Sequence, residues 1–310
     1  MEMNKEFLEK NFEEKIRKLT IADNYMFFSV MTNNDDICKE VVEICIGRAV
    51  HEIRYKAGEA SMKLSPDGKG IRLDVYLEDA DRTLYDIEMQ AVVNAYLGRR
   101  TRYYDSVMSV NMLKSGQDYR SLPDSYVIFI CLEDPFGKNR AVYRFCNRER
   151  DDHDLTLEDG SYKILINACG DESGCSEGMK QLMAAARGET ITDDGLDRRI
   201  AEAVSRMKAD AEWRMEYMLY EIEMNERWEA GFAEGVEKGR EEGRQEGLGE
   251  GLKKGREEGL KKGQKEGELF TLYDLVLSGD LTENAAVKKS GRSKQDFLAG
   301  LEEYRQSRRS

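Results

Sequence analysis

Between residues 71 and 90 the chain changes sides at every step. Ile71, Leu73, Val75 and Leu77 alternate with Arg72, Asp74 and Tyr76, the period of two that marks a strand with one buried face. After the polar stretch Glu78, Asp79, Ala80, Asp81, a second alternating run begins near Thr83. There Tyr85, Ile87 and Met89 face one way and Asp86, Glu88 and Gln90 the other. Two such runs on either side of a short polar turn predict an antiparallel hairpin. Pairing them brings Asp74 to Glu88, because residues opposite each other in a ladder share a face, and Gln90 follows two residues on. Two carboxylates and an amide on one rigid surface offer the hard oxygen donors that a divalent cation selects for phosphodiester hydrolysis. A solvated acidic strand carries the same residues, so the pattern by itself leaves both readings open.

The flanking sequence supplies the rest of an α/β core. Residues 23–32 and 36–46 read as helices, the second with Ile37, Val41, Ile44 and Cys45 on one stripe and Gly47 as its stop. Residues 51–56 suggest a first strand, and Ser65-Pro66-Asp67-Gly68 a turn. Residues 96–113 predict a long helix with Tyr103, Val107, Val110 and Leu113 facing inward and Gly116 closing it. The unbroken apolar run 126–132 predicts a strand buried on both faces. Further strands are expected at 142–146 and 162–167, and helix from about residue 194 to 227.

Composition limits the partners. A length of 310 residues suits one core domain with appendages, or two domains. The net charge of −13 counts against tight non-specific DNA binding, which draws its affinity from neutralised phosphates. Basic residues are nevertheless concentrated at Arg99, Arg100 and Arg102, and again at Arg144, Arg148 and Arg150, which allows a small basic groove on an acidic protein. The six cysteines show no Cys-x-x-Cys spacing and stand apart from His51 and His153, which argues against a zinc site or a disulfide framework. Residues 1–18 are charged throughout, and the longest apolar run is too short to span a bilayer. The expectation is a cytoplasmic protein with no membrane partner.

Four motifs carry a resemblance to a known family: Arg72-Leu73-Asp74-Val75, then Tyr85-Asp86-Ile87-Glu88-Met89-Gln90, then Arg100-Thr101-Arg102-Tyr103-Tyr104, and finally Lys114-Ser115-Gly116-Gln117-Asp118-Tyr119. In this order the chain resembles the recombination-promoting nuclease and transposase family (Rpn type) of the PD-(D/E)XK nuclease superfamily, over roughly residues 20–170. In the fourth motif Ser115 is inserted between the family's Lys and Gly. The resemblance implies a PD-(D/E)XK-like core of helix, three-strand meander, helix and strand, with a helical C-terminal extension. It implies a Mg2+-dependent (or other divalent-metal) DNA endonuclease linked to recombination or transposition. Asp74, Glu88 and Gln90 would be catalytic, with Asp74 and Glu88 as metal ligands. Asp23, in Asp-x-x-x-Phe form with Phe27, occupies the place of the family's early Asp and would join them, although an acid before a helix serves equally as an N-cap. Arg100 would meet DNA phosphate, the alternative being a surface arginine. Most of the superfamily has lysine at the position of Gln90, whereas the Rpn-like pattern has glutamine, which orients water without adding charge. Two other roles are compatible with these residues: a catalytically weak DNA-associated protein acting through self-assembly, and a phage-defence nuclease with the same chemistry.

The domain plan that follows is an N-terminal helix (1–19), the nuclease-like domain (20–190), a helical segment (191–230), a repeat (231–268) and a small helical module (269–306). In the repeat, glycine stands at every fourth position from Gly231 to Gly267, among ten acidic and nine basic side chains. As a helix it opposes itself, since ten glycines cost about 10 kcal/mol relative to alanines and each i,i+4 charge pair returns only ~0.2–0.5 kcal/mol. A linker or marginal helix is the favoured reading, and an arm for homo-oligomers the alternative. In the module Thr282 and Ser293 are expected N-caps and Gly279 and Gly291 stops. It resembles a helix-turn-helix, although a protein–protein cap explains it as well.

Overall fold

Asp79 organises the turn of the predicted hairpin. Its Oδ1 accepts the N–H groups of Asp81 and Thr83, both at 2.9 Å, and its Oδ2 accepts the Tyr85 hydroxyl at 2.7 Å. A short acidic side chain that bonds the backbone two and four residues on stabilises a turn without a ladder. Arg82 completes it with a left-handed φ of 67°. The computed structural model describes residues 5–62, 71–93, 95–113 and 115–308. The turn expected at Ser65-Pro66-Asp67-Gly68, and Lys114 of the fourth motif, lie outside the described residues.

Three strands, β1 (Ile53–Met62), β2 (Ile71–Asp79) and β3 (Leu84–Gln90), form the antiparallel meander. The chain then crosses through a helix to β4 (Ser125–Cys131), which runs parallel to β3. β5 (Val142–Phe145) and β6 (Ser161–Asn167) complete a six-stranded sheet of order β1-β2-β3-β4-β6-β5, with β6 parallel to β4 and β5 antiparallel at the edge. Central β4 is flanked by parallel neighbours and covered on both faces, as its apolar run predicts.

Two layers of helix cover the sheet. On one face lie α1 (Lys5–Lys18), α2 (Asn24–Asn33) and α3 (Asp35–Ile46), the last closed by Gly47 in the left-handed conformation. The opposite face packs on α4 (Leu97–Met112). The buried stripe of α4 is Leu97, Thr101, Tyr104, Val107 and Met108, whereas Val110 is 60% exposed. The expected phase, with Tyr103 and Val110 inward, is therefore shifted. Positions 97, 101, 104 and 108 keep the spacing of three and four that one helix face needs. Leu73 also departs from its expected face: Val75 and Leu77 join the first core, whereas Leu73 packs in the second, at the point where β2 has left its ladder with β3.

Two helices are added to the first core beyond residue 170: α5 (Glu177–Ala186), capped by Ser176, and α6 (Leu196–Ala209). The expected uninterrupted helix over 194–227 is broken at Asp210, whose Oδ1 accepts the N–H groups of Glu212 and Trp213 at 2.8 and 2.9 Å and so caps the next helix, α7 (Ala211–Leu277). Leu196, Ile200, Trp213 and Tyr217 are buried in the first core, and the Trp213 indole N–H donates to Ser29 Oγ at 2.8 Å. The first compact unit accordingly runs Met1–Ile222, past the division expected at residue 190, because α6 and the start of α7 supply core side chains.

The second unit, Glu223–Ser310, holds the glycine repeat and the C-terminal module. The segment expected as a linker or marginal helix is helical throughout, inside α7. A Cβ added at any of its every-fourth glycines would meet nothing within 4 Å, so these glycines make room for no neighbour in this chain. The end of α7 packs on α8 (Glu283–Ser290) and α9 (Lys294–Ser307) through Leu269, Tyr273, Ala286, Phe297 and Leu301. Thr282 precedes α8, and Ser293 caps α9 by accepting the Asp296 N–H at 3.1 Å. Among the described residues no helix is long and apolar enough to cross a membrane.

Candidate active site

Backbone pairing between β2 and β3 runs from Glu78–Leu84 to Val75–Ile87 and then gives way to side chains. One residue on, the Asp74 N–H donates to Glu88 Oε1 at 2.9 Å, and the Met89 N–H donates to Asp74 Oδ2 at 3.2 Å. The two carboxylates thus replace rungs of the ladder, each held by the backbone of the other strand. A carboxylate fixed by charge-assisted bonds to strand backbone has little freedom to swing away.

Arg100 gathers the rest of the cluster from α4. Its Nη2 donates to Glu88 Oε2 at 2.6 Å, its Nη1 to Gln90 Oε1 at 2.5 Å and its Nε to the Tyr104 hydroxyl at 2.8 Å. Its guanidinium lies 5.0 and 4.9 Å from the ring centroids of Tyr104 and Phe129. Arg100 and Tyr104 stand one helical turn apart, so α4 aims both at the same spot. The arginine expected to wait for phosphate is bound to Glu88 and Gln90, and it is neither free nor a bland surface residue. Gln90 also donates from Nε2 to the Val92 carbonyl at 2.5 Å. That leaves one lone pair and one N–H of its amide for a water.

Asp86 lies beneath this arrangement. It is buried, and as a carboxylate neither of its oxygens has a hydrogen-bond partner. Burial first, then the negative charges of Glu88 and Asp74, push its carboxyl well above the usual range, and Arg100 only partly opposes them. In the neutral form Asp86 donates to Glu88, which gives its proton a partner. Glu88 is raised as well: its burial outweighs Arg100, the Asp74 N–H and the Asp86 contact, all of which favour the charged form. The Tyr104 hydroxyl is pushed up to about 12 by burial and by the Glu88 charge. Asp86 is the residue that sequence reasoning left out of the site. Its place in the alternating series with Glu88 and Gln90 was the available signal.

Asp23 does not join the cluster. Its Oδ1 accepts the Met26 N–H at 3.0 Å as the N-cap of α2, and its Oδ2 accepts the Tyr217 hydroxyl at 3.3 Å. Burial raises its carboxyl, and the charges that act on it belong to Lys15 and Glu221. The metal-ligand role expected for Asp23 is therefore replaced by the capping alternative. A helix start with an orphan N–H claims the oxygen that a metal would need.

Among the described residues no group of three or more His, Cys, Asp or Glu side chains is arranged to hold a metal ion by itself. The donor chemistry nevertheless fits a hard divalent cation that keeps several waters. Asp74 and Glu88 each hold a carboxylate against the backbone of the other strand, and Asp86 adds a third buried acid against the single guanidinium of Arg100.

The family model described as PD-(D/E)XK nuclease family transposase matches residues 25–159, a span that holds the whole Asp74, Asp86, Glu88, Gln90 and Arg100 cluster. Over that segment the chain is similar to the family. The PD-(D/E)XK match begins after Asp23 and ends before β6, so it covers the meander, α4 and β4. No curated protein and no solved structure matches the chain.

Proposed function

We propose that the first unit is a Mg2+-dependent endonuclease that hydrolyses DNA phosphodiester bonds at the Asp74–Glu88 cluster. The observation that carries this reading is the break in the β2–β3 ladder, where two carboxylates are fixed side by side over a third, buried acid. A fold seeking stability alone would gain from continued backbone pairing and an apolar residue at position 86, since a carboxyl buried beside two others is costly. The similarity of residues 25–159 to a nuclease and transposase family supports the same chemistry.

Asp74 and Glu88 would hold the cation through their carboxylates. The bound ion supplies Lewis acidity, lowering the pKa of an attacking water and offsetting charge on the phosphate. Gln90, with one acceptor and one donor site left on its amide, orients that water. Arg100 keeps Glu88 and Gln90 in fixed register and adds the positive charge that a lysine at position 90 would have brought. The net charge of −13 disfavours long-lived non-specific complexes, because such binding draws its affinity from neutralised phosphates. Nicking of supercoiled plasmid by the full chain, with Mg2+ or with a chelator, tests the reading. Conversion to open circle only with Mg2+ supports it, and equal conversion in chelator contradicts it.

A further inference from the structure

The same face of the sheet carries a second chemical feature, two strands from the carboxylates. Asp86 pairs with Val127, Val127 with Lys163 and Lys163 with Phe145, so all four share one rung. At the strand spacing of ~4.8 Å, Lys163 stands roughly 10 Å from Asp86. Over it opens a cavity of about 600 Å3 between α4 on one side and β5 and β6 on the other. This volume is within the range of sites that hold small organic ligands.

The floor of the cavity is polar and partnered. Asp105 on α4 accepts Ser125 Oγ at 2.5 Å, Ser161 Oγ at 2.6 Å and Lys163 Nζ at 2.9 Å, with only 14% and 18% of the Asp105 and Lys163 side chains exposed. The mouth is aromatic. Phe136 and Phe145 remain 44% and 45% exposed with ring centroids 5.4 Å apart. Arg102 stands exposed on the rim and forms no ion pair among the described residues. A desolvated ion pair is a poor way to fill a hydrophobic layer, and exposed phenylalanine rings are a poor way to finish a surface. Together they give the cavity apolar aromatic walls, a donor beside an acceptor at the floor, and a cation at the entrance.

We infer that this cavity receives one nucleotide of the DNA strand, its base against Phe136 and Phe145 and its polar edge toward Lys163 and Asp105. Aromatic rings stack on any base, a donor and acceptor side by side meet a base edge, and Arg102 meets the phosphate. A base in the cavity is unpaired, so single-stranded or locally opened DNA is the preferred form, the duplex costing unstacking energy. The inference rests on DNA being the substrate, and it adds a recognition site beside the cleavage site.

Cys146 lines the cavity and is exposed, whereas Cys169 is exposed outside it, so alkylation reports occupancy with an internal control. The full chain is treated with N-ethylmaleimide alone, with each deoxynucleoside 5′-monophosphate, with a single-stranded oligonucleotide, or with inorganic phosphate. Modification at each cysteine is followed by peptide mass spectrometry. The expected result is slowed alkylation of Cys146 but not Cys169 by nucleotide or oligonucleotide. Phe145→Ala should weaken that protection about tenfold, the effect of one lost stacking contact. Ser109→Trp, which fills the cavity from α4, should abolish it and serves if Phe145→Ala does not fold. Protection without any plasmid cleavage would keep the nucleotide site and remove only the hydrolytic reading. Cleavage with no protection of Cys146, or equal protection by phosphate alone, would overturn the inference.

Discussion

The Glu88 carboxylate acts as a strand partner for Asp74: its Oε1 accepts the Asp74 N–H at 2.9 Å, one step beyond the last backbone pair, Val75–Ile87. Where a sheet would continue its own ladder, the molecule substitutes side chains. The geometry of the two carboxylates is therefore inherited from the rigidity of β2 and β3, and Arg100 fixes the outer oxygen of Glu88 together with Gln90. Four consequences for stability and activity can be measured, besides the test of the site itself.

Arg100→Leu should destabilise the first unit by about 3 kcal/mol at pH 8, because it leaves Glu88 buried without its counter-charge. Glu88 is already raised by burial, and losing Arg100 raises it further. A carboxyl raised in the folded state favours folding while it is protonated and loses that contribution as pH climbs through the folded value. The deficit should therefore shrink at pH 4. Urea unfolding at the two pH values checks this, and an equal deficit at both would contradict the charge account.

Asp86→Asn should stabilise the protein at pH 8 and change little at pH 4. The raised Asp86 carboxyl costs stability progressively as pH climbs from its unfolded value toward its folded one, whereas asparagine stays neutral and still donates to Glu88. A gain of ~1 kcal/mol corresponds to about 2–4 °C in Tm for a unit of this size. Differential scanning calorimetry across pH 4–8 measures it. Destabilisation at pH 8 would show that the charged form of Asp86 is held by a partner.

Much of this was legible in the sequence, for identifiable reasons. Strict alternation fixed the register that joins Asp74 and Glu88, and the apolar run at 126–132 marked β4, because both patterns reflect burial imposed by the sheet. Arg100 was visible as a motif residue, but its bond to Glu88 was not, since that depends on the phase of α4, which the positions of Tyr103 and Val110 misindicated. Asp86 was visible on the correct face, yet its complete burial follows from the packing of α4, which no local pattern encodes. Asp23 and Asp210 show the opposite difficulty. An acid before a helix is an N-cap or a ligand on the same residue evidence, and only its hydrogen bonds separate the two.

Gln90→Lys, which would recreate the commoner superfamily residue, should lower cleavage here. Gln90 Oε1 accepts from Arg100, and a lysine cannot accept; it would set a second cation beside the guanidinium. Glu88 would then lose its fixed orientation. A drop of about tenfold in nicking rate is expected, equal to ~1.4 kcal/mol in the barrier. Unchanged or faster nicking would show that Arg100 swings aside freely.

Replacing Gly235, Gly239 and Gly243 by alanine should lengthen the lifetime of α7. None of the three added methyl groups would meet another atom within 4 Å, and each substitution favours helix by roughly 1 kcal/mol. Slower amide exchange across 231–247 with unchanged sedimentation is the expected outcome. A change in assembly state instead would mean that the glycines admit a second copy of the chain.

Asp74→Asn is the most direct test of the cleavage site. Asparagine keeps an oxygen for the Met89 N–H and removes only the charge, so the strand geometry should persist. With folding verified by circular dichroism, Mg2+-dependent nicking of supercoiled plasmid should fall by at least about a hundredfold, the scale on which a lost transition-state contact acts. Nicking within twofold of the unaltered protein, at matched concentration and purity, would contradict a cleavage site built on Asp74 and Glu88.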